Sequence, residues 1–196
     1  MRNPYRVSAL VSALSLVFAA ALLGPATPSS AQIGVFNNTY ARECFLQALA
    51  DRANSDACDR ALETEMLTGR DLAATYVNRA VIRTNAGRYK IALSDLERAE
   101  ALKPELGEIH TSRGNVFYYM NDFEEALEHY DRGIEAGMEK LHAAHYDRGL
   151  ALEQLGRIEE SKDAFRKALS IEPEFELARI RLVGNPAQAT TNSSSN

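Results

Sequence analysis

The feature that most constrains this chain is a pattern that recurs about every 34 residues between Ala73 and Phe175. Its three copies share a small residue preceded by arginine, in Asn78-Arg79-Ala80, Ser112-Arg113-Gly114 and Asp147-Arg148-Gly149. Seven residues after the small residue, each copy has a glycine or asparagine: Gly87, Asn121 and Gly156. A repeat of this length is one supersecondary unit that cannot bury its own apolar face, so the copies must stack.

Each copy has the pattern of two helices joined by a tight turn. A small residue in the first helix and one in the second, such as Gly114 and Ala126, allow the two axes to approach closely. The glycine or asparagine between them supplies a left-handed backbone conformation. Pro104 and Pro173 end two of the copies, whereas the second copy has Glu135-Ala136-Gly137-Met138 there, which predicts a looser joint.

A helical hairpin is predicted before the repeats. One helical pattern runs from about Thr39 to Ala53, a turn signal follows at Asn54-Ser55-Asp56, and a second helix is predicted over Ala57 to Leu67. Cys44 and Cys58, the only two cysteines, fall one in each helix. We expect a disulfide between them if the chain is exported, with two free thiols as the alternative.

The first 31 residues have the pattern of an export signal. Arg2 and Arg6 precede an apolar stretch from Val7 to Leu23, and small residues lead up to Ala31, where cleavage is expected. A retained membrane anchor is the alternative, although the stretch is short for a span and contains serines. The signal predicts a periplasmic or secreted protein whose mature part has no membrane span.

These observations divide the chain into consecutive segments. Residues 1–31 are the signal segment, 32–72 the N-terminal hairpin, and 176–183 a helix that caps the last repeat. The polar tail at 184–196 is expected to be disordered. The three repeats between the hairpin and the cap are assigned to residues 73–106, 107–141 and 142–175.

Composition and motifs exclude several classes of function. The formal charge of −5 becomes −7 without the two arginines of the signal segment, and no basic block remains to favour nucleic acid. There is no phosphate loop, nucleophile elbow or dinucleotide turn. His142 and His145 have a spacing that metal ligands use, but a site needs further convergent ligands. We therefore predict no catalytic residues, no cofactor and no metal, with a metal-dependent enzyme as the least favoured alternative.

The small, turn and proline positions resemble those of the tetratricopeptide repeat (TPR) family, in the Asn-Arg-Gly variant common in bacterial members. The resemblance implies an all-α, right-handed α-solenoid of stacked helix-turn-helix hairpins with a C-terminal capping helix. It also implies a concave groove lined by five positions of each first helix, fifteen in all when Ala74, Glu108 and Ala143 are included. The twelve proposed binding positions are Val77, Val81, Thr84, Asn85, Thr111, Asn115, Tyr118, Tyr119, Tyr146, Leu150, Glu153 and Gln154.

The chemistry of this groove predicts the kind of partner. None of the fifteen positions is basic, unlike family members that clamp the carboxylate tails of cytosolic chaperones. The tyrosines and amides suit a peptide with apolar anchors. We therefore predict a non-catalytic scaffold that binds a peptide or partner protein in the cell envelope. A self-associating structural protein that forms a homodimer, as one possible homo-oligomer, through the capping helix or the convex face is the alternative.

The repeated arginines Arg79, Arg113 and Arg148 allow two interpretations. They could form a ladder of guanidinium groups that contacts an acidic partner or a peptide backbone. Alternatively, each packs its stem on neighbouring helices and pairs with carboxylates such as Asp95, Asp131 or Asp147, which is the more usual role of a repeated charge in a solenoid.

Overall fold

The computed structural model describes residues 39–50 and 52–183. Within these residues the chain forms nine α-helices and no strand. In chain order they are α1 (Thr39–Leu49), α2 (Asp56–Thr64), α3 (Gly69–Asn85), α4 (Tyr89–Leu102), α5 (Gly107–Met120), α6 (Phe123–Ala136), α7 (Leu141–Gln154), α8 (Ile158–Ile171) and α9 (Glu176–Val183).

The helices form consecutive antiparallel hairpins that stack into an all-α helical solenoid. We call α1, α3, α5 and α7 the A helices and α2, α4, α6 and α8 the B helices. Each A helix packs against its own B helix and against the A helix of the next hairpin. Three A-helix positions, spaced i, i+3 and i+7, are buried in every hairpin, as Ala41, Cys44 and Ala48 are in α1. One buried stripe per helix therefore joins neighbouring hairpins.

The turns within the three repeats have the geometry that the sequence predicts. Gly87, Asn121 and Gly156 have φ values of 72°, 65° and 72°. The next residue of each turn donates its N–H to a carbonyl five residues earlier, as Arg88 does to Arg83 at 2.8 Å. This pattern satisfies helix-end carbonyls and needs a left-handed residue, which explains why glycine or asparagine recurs there.

The small residues of the A helices lie against large aromatic rings of the B helices. A Cβ added at Gly149 would come within 2.4 Å of the Phe165 ring, and one added at Gly114 within 2.7 Å of the Tyr130 ring. Tyr130 and Phe165 are fully buried. Gly114 and Gly149 therefore leave space for an aromatic ring of the B helix, in addition to allowing the close approach of small residues that the sequence predicts.

The N-terminal hairpin is held together by a disulfide between Cys44 and Cys58, whose Cα atoms are 4.6 Å apart. Both cysteines are fully buried. The helices are shorter than the predicted ranges of Thr39 to Ala53 and Ala57 to Leu67. The chain leaves α2 at Glu65, whose carboxylate accepts hydrogen bonds from the backbone N–H groups of Tyr40 and Ala41 at the start of α1. This contact caps α1 and explains the early end of α2.

The start of α3 and the extent of α9 can also be compared with the boundaries that the sequence predicts. Helix α3 begins at Gly69, one turn before the predicted start of the first repeat at Ala73. Helix α9 covers the predicted range of the capping helix and packs on α8. The segment predicted as an export signal at 1–31, the residues up to 38 and the tail at 184–196 lie outside the described residues. No helix within the described part is long and apolar enough to cross a membrane.

Candidate functional site

The arginines of the series pair with carboxylates both within a hairpin and between neighbouring hairpins. Arg79 donates two hydrogen bonds to Asp95 of α4, at 2.9 and 2.6 Å, and one to Asp59 of α2 at 2.7 Å. Arg113 and Arg148 likewise pair with carboxylates of the preceding B helix. Arg113 contacts Glu100 at 2.7 Å and Arg148 contacts Asp131 at 2.6 Å. The guanidinium groups are therefore engaged within the solenoid, which agrees with the packing interpretation.

Most of the twelve predicted groove positions are buried between helices. Seven of them have less than a tenth of their surface exposed: Val77, Val81, Thr84, Thr111, Asn115, Tyr146 and Leu150. Tyr146 in particular packs against Phe165 and Phe175, with ring centroids 5.6 and 5.3 Å away. These side chains pack beneath the accessible residues of the A helices, and only a small part of each could contact a partner.

The other five predicted positions are accessible: Asn85, Tyr118, Tyr119, Glu153 and Gln154. All five belong to the last turns of α3, α5 and α7, so they share one end of the A helices. We call these five residues the A-helix surface. Tyr118 contacts both Tyr119 and Phe123 edge to face, at 5.8 and 5.4 Å between centroids. An aromatic cluster therefore lies at the centre of this surface, in the second repeat.

Buried amide groups lie at and beneath the A-helix surface. The Oδ1 atom of Asn115 accepts a hydrogen bond from the Tyr130 hydroxyl at 2.8 Å. Burial raises the pKa of Tyr130 well above its usual value, with further increases from Asp147, Tyr118 and Tyr119. The Nδ2 atoms of Asn85 and Asn115 are buried and have no hydrogen-bond partner among the described residues. Two amide donors thus lack an acceptor within the described part of the chain.

Helix α9 closes the C-terminal end of the surface. Arg181 of α9 donates to the Glu153 carboxylate at 3.1 Å and is the cation that the structure adds to this region. Burial raises the pKa of Glu153, while Arg181 acts in the opposite direction. Phe175, just before α9, also contacts His142 edge to face at 4.9 Å. The sequence pattern of the repeats missed Arg181 because the capping helix lies outside the three copies.

The structure also locates the residues considered for metal binding. His142 packs on Phe175, and burial lowers the pKa of both His142 and His145. Within residues 39–50 and 52–183, no group of three or more histidine, cysteine or acidic side chains could hold a metal ion.

Comparisons with known proteins agree with this architecture. Residues 111–174 match the family model described as tetratricopeptide repeat. No curated protein sequence matches the chain. Among solved structures, MamA is similar, with a TM-score of 0.56 and 16% identity over 76% of this chain and 82% of MamA.

Two similar structures contain bound peptides. The first TPR of Spaghetti (RPAP3), bound to the HSP90 peptide SRMEEVD, has a TM-score of 0.54 and 19% identity, over 64% of this chain and 98% of that one. The second TPR domain of human RPAP3, in complex with the HSP70 peptide SGPTIEEVD, has a TM-score of 0.52 and 23% identity, over 57% and 92%. Residues 111–174 thus match the tetratricopeptide repeat model, and the helical array has the fold of TPR domains.

Proposed function

We propose that this chain is a non-catalytic interaction module that binds a peptide segment of a partner protein on the A-helix surface. The observation that carries the proposal is the pair of buried, unpartnered amide donors of Asn85 and Asn115 beside the half-buried Tyr118–Tyr119 pair. A peptide offers carbonyl oxygens for the amides and side chains for the aromatic rings. Unpaired buried donors cost free energy, so a ligand that satisfies them gains affinity.

The two similar domains with bound peptides support this role for the fold, while their ligands differ from the partner we propose. Both peptides end in Glu-Glu-Val-Asp and are therefore acidic at the C-terminus. In this chain none of the fifteen groove positions is basic, and Arg181 beside them is already paired with Glu153. An acidic tail would therefore meet the Glu153 carboxylate, whose neighbouring Arg181 is already paired. We therefore propose a neutral or basic segment with apolar or aromatic anchors.

We further propose that the module works in the cell envelope. The export signal predicted over residues 1–31 is the basis, and the Cys44–Cys58 disulfide supports it because such bonds persist mainly in oxidising compartments. The test fuses residues 1–38 to a reporter enzyme that folds only after export from the cytoplasm. Reporter activity is expected. Activity no higher than that of a fusion lacking these residues would contradict the envelope location.

Binding can be tested with a peptide selected on the protein itself. Random 12-residue peptides displayed on phage are selected on the immobilised full chain, and the tightest binder is synthesised with a fluorescent label. Its affinity is then measured by fluorescence anisotropy for the wild type and for Tyr119→Ala and Asn85→Ala. We expect each substitution to weaken binding about five- to tenfold, corresponding to about 1 kcal/mol of lost contact.

A tyrosine outside the A helices provides the matched control. Tyr89 begins the B helix α4 and is also half-buried, so Tyr89→Ala removes a similar side chain away from the surface. Its affinity should equal that of the wild type, and circular dichroism should show the same helicity for every variant. The proposal is wrong if the selected peptide binds Tyr119→Ala and Asn85→Ala as tightly as wild type.

A further inference from the structure

We propose that α1 of the disulfide-linked hairpin contributes to the peptide-binding surface as a fourth A helix, beside α3, α5 and α7. We further propose that Gln47 is the residue of α1 that contacts the peptide. This inference rests on the proposed function and extends the A-helix surface by one hairpin. The sequence motif does not reveal it, because α1 has Cys44-Phe45-Leu46 where the next repeat has Asn78-Arg79-Ala80.

The buried positions show that α1 occupies the place of an A helix. Ala41, Cys44 and Ala48 correspond, at a spacing of 34 residues, to Thr75, Asn78 and Ile82 of α3, and all six are buried. Helix α1 packs against α3 as α3 packs against α5. In this register Gln47 corresponds to the predicted groove positions Val81, Asn115 and Leu150. Those three residues are buried, whereas Gln47 is half-buried and retains accessible surface.

The side chain of Gln47 is arranged to accept a hydrogen bond. Its Nε2 donates to the Glu43 carboxylate at 3.3 Å, which leaves Oε1 as the other end of the amide. Oε1 is buried and has no partner among the described residues, whereas at Asn85 and Asn115 it is the Nδ2 donor that lacks one. The extended surface therefore offers one acceptor and two donors. An extended peptide backbone presents both N–H and C=O groups and could satisfy them all.

Two links to α2 and its end hold α1 in position. The disulfide joins the middle of α1 to the first turn of α2. At the N-terminus of α1, the Glu65 carboxylate accepts the backbone N–H groups of Tyr40 and Ala41 at 2.8 and 3.1 Å. A helix fixed at these two points can present Gln47 without ordering on binding, which reduces the entropic cost.

The spacing of the helices predicts the length of peptide that reaches Gln47. Packed helix axes lie about 9 Å apart, so α3 to α7 covers roughly 18 Å and α1 to α7 roughly 27 Å. An extended chain advances about 3.3 Å per residue. A segment of about six residues therefore covers the three repeats, whereas about eight are needed to include α1.

The experiment measures the anisotropy of the labelled 12-residue peptide with full-length Gln47→Ala, and with Arg42→Ala as a control. Arg42 is an exposed residue of the same helix and lies outside the groove positions of the repeat. We expect Gln47→Ala to weaken binding about fivefold, the effect of one hydrogen bond, and Arg42→Ala to leave it unchanged. Peptides shortened from either end to six residues are measured in parallel. At least one should bind the wild type and Gln47→Ala equally.

The outcomes separate this inference from the proposed function. If Gln47→Ala binds the 12-residue peptide as wild type does while Tyr119→Ala weakens it, α1 is not part of the surface and the inference is overturned. If Gln47→Ala weakens binding but Arg42→Ala does so equally, the effect belongs to the helix as a whole and the assignment to Gln47 is also overturned. If Tyr119→Ala and Asn85→Ala have no effect, the proposed function itself fails.

Discussion

Asp95 lies at the centre of a buried ion network between the first two hairpins. Its side chain is 1% exposed and accepts hydrogen bonds from both Arg79 and Arg83. Burial alone would lower the pKa of Arg79, but its pairs with Asp95 and Asp59 outweigh that effect and raise the pKa. A buried charge with its partner removed is costly, whereas an exposed pair contributes little. The three arginines of the series should therefore differ in their contribution to stability.

Arg79→Ala tests this difference. Because it leaves Asp95 with Arg83 as its remaining close partner, we expect a loss of about 3 kcal/mol in the free energy of unfolding. Arg148→Ala removes a partly exposed pair with Asp131 and should cost less than about 1 kcal/mol. Urea unfolding followed by circular dichroism measures both. Equal losses for the two variants would show that burial of the Arg79–Asp95 pair does not increase its contribution to the free energy of unfolding.

His129 should make the stability of the second repeat depend on pH. Burial, together with Arg113 and Arg132, lowers its pKa from 6.5 to about 4, and its ring stacks on Phe117 at 5.3 Å. Since the folded-state pKa is the lower one, the unfolded chain binds the proton first as the pH falls. Stability is therefore lost between about pH 6.5 and 4.

The variant His129→Phe isolates this contribution while keeping the stack on Phe117. Its melting temperature should fall less than that of the wild type between pH 6.5 and 4.5. Burial also lowers the pKa of His110, His142 and His145, so a residual slope is expected in both proteins. Identical slopes for wild type and variant would mean that His129 is not a source of the acid sensitivity.

At the scale of the helix pair, the contact between Gly149 and Phe165 decides how closely α7 and α8 approach. An alanine in a helix is normally about 1 kcal/mol more favourable than a glycine. Here the added methyl group would lie 2.4 Å from a fully buried ring, and overpacking costs about 1 to 3 kcal/mol. We expect Gly149→Ala to lower the melting temperature. A higher melting temperature would mean that α7 and α8 can move apart to accept the methyl group at no cost.

The elements show which features could be predicted from the sequence. The turns at Gly87, Asn121 and Gly156 were predictable because a left-handed residue leaves a local signature. The end of α2 at Glu65 was not, because it depends on a contact with the backbone of Tyr40, 25 residues away. Local periodicity carries no information about such a partner.

The candidate site was predictable in outline only. A repeat register assigns groove positions from spacing, and by that register Tyr146 and Tyr119 are equivalent candidates. Their exposure differs because Tyr146 shares its position in the repeat with Val77 and Thr111, which are buried as well, whereas Tyr119 lies in the last turn of its helix and stays accessible. Gln47 was missed since α1 lacks the motif residues, although it has the same buried positions. Burial within the A helices, which the motif does not report, separates the accessible positions from the buried ones.

For the whole molecule, the disulfide links the N-terminal hairpin to the stability of the stack. It closes a loop of about 15 residues, for which the chain-entropy estimate is about 3 kcal/mol. In the Cys44→Ala, Cys58→Ala variant we expect the hairpin to unfold at lower urea than the three repeats, because stacked repeats contribute separately. Hydrogen exchange should show faster exchange in α1 and α2 and unchanged protection in α7. Uniform loss of protection along the chain would contradict this expectation.

The most direct test of the account is to map where the selected peptide binds. In a two-dimensional NMR titration of the ¹⁵N-labelled full chain, we expect the largest shifts at the backbone amides of Asn85, Tyr119 and Gln154. The side-chain amide signals of Asn85 and Asn115 should shift as well, because they gain hydrogen-bond partners. Shifts confined to the B helices α4, α6 and α8, with these signals unmoved, would contradict the claim that the chain binds its partner on the A-helix surface.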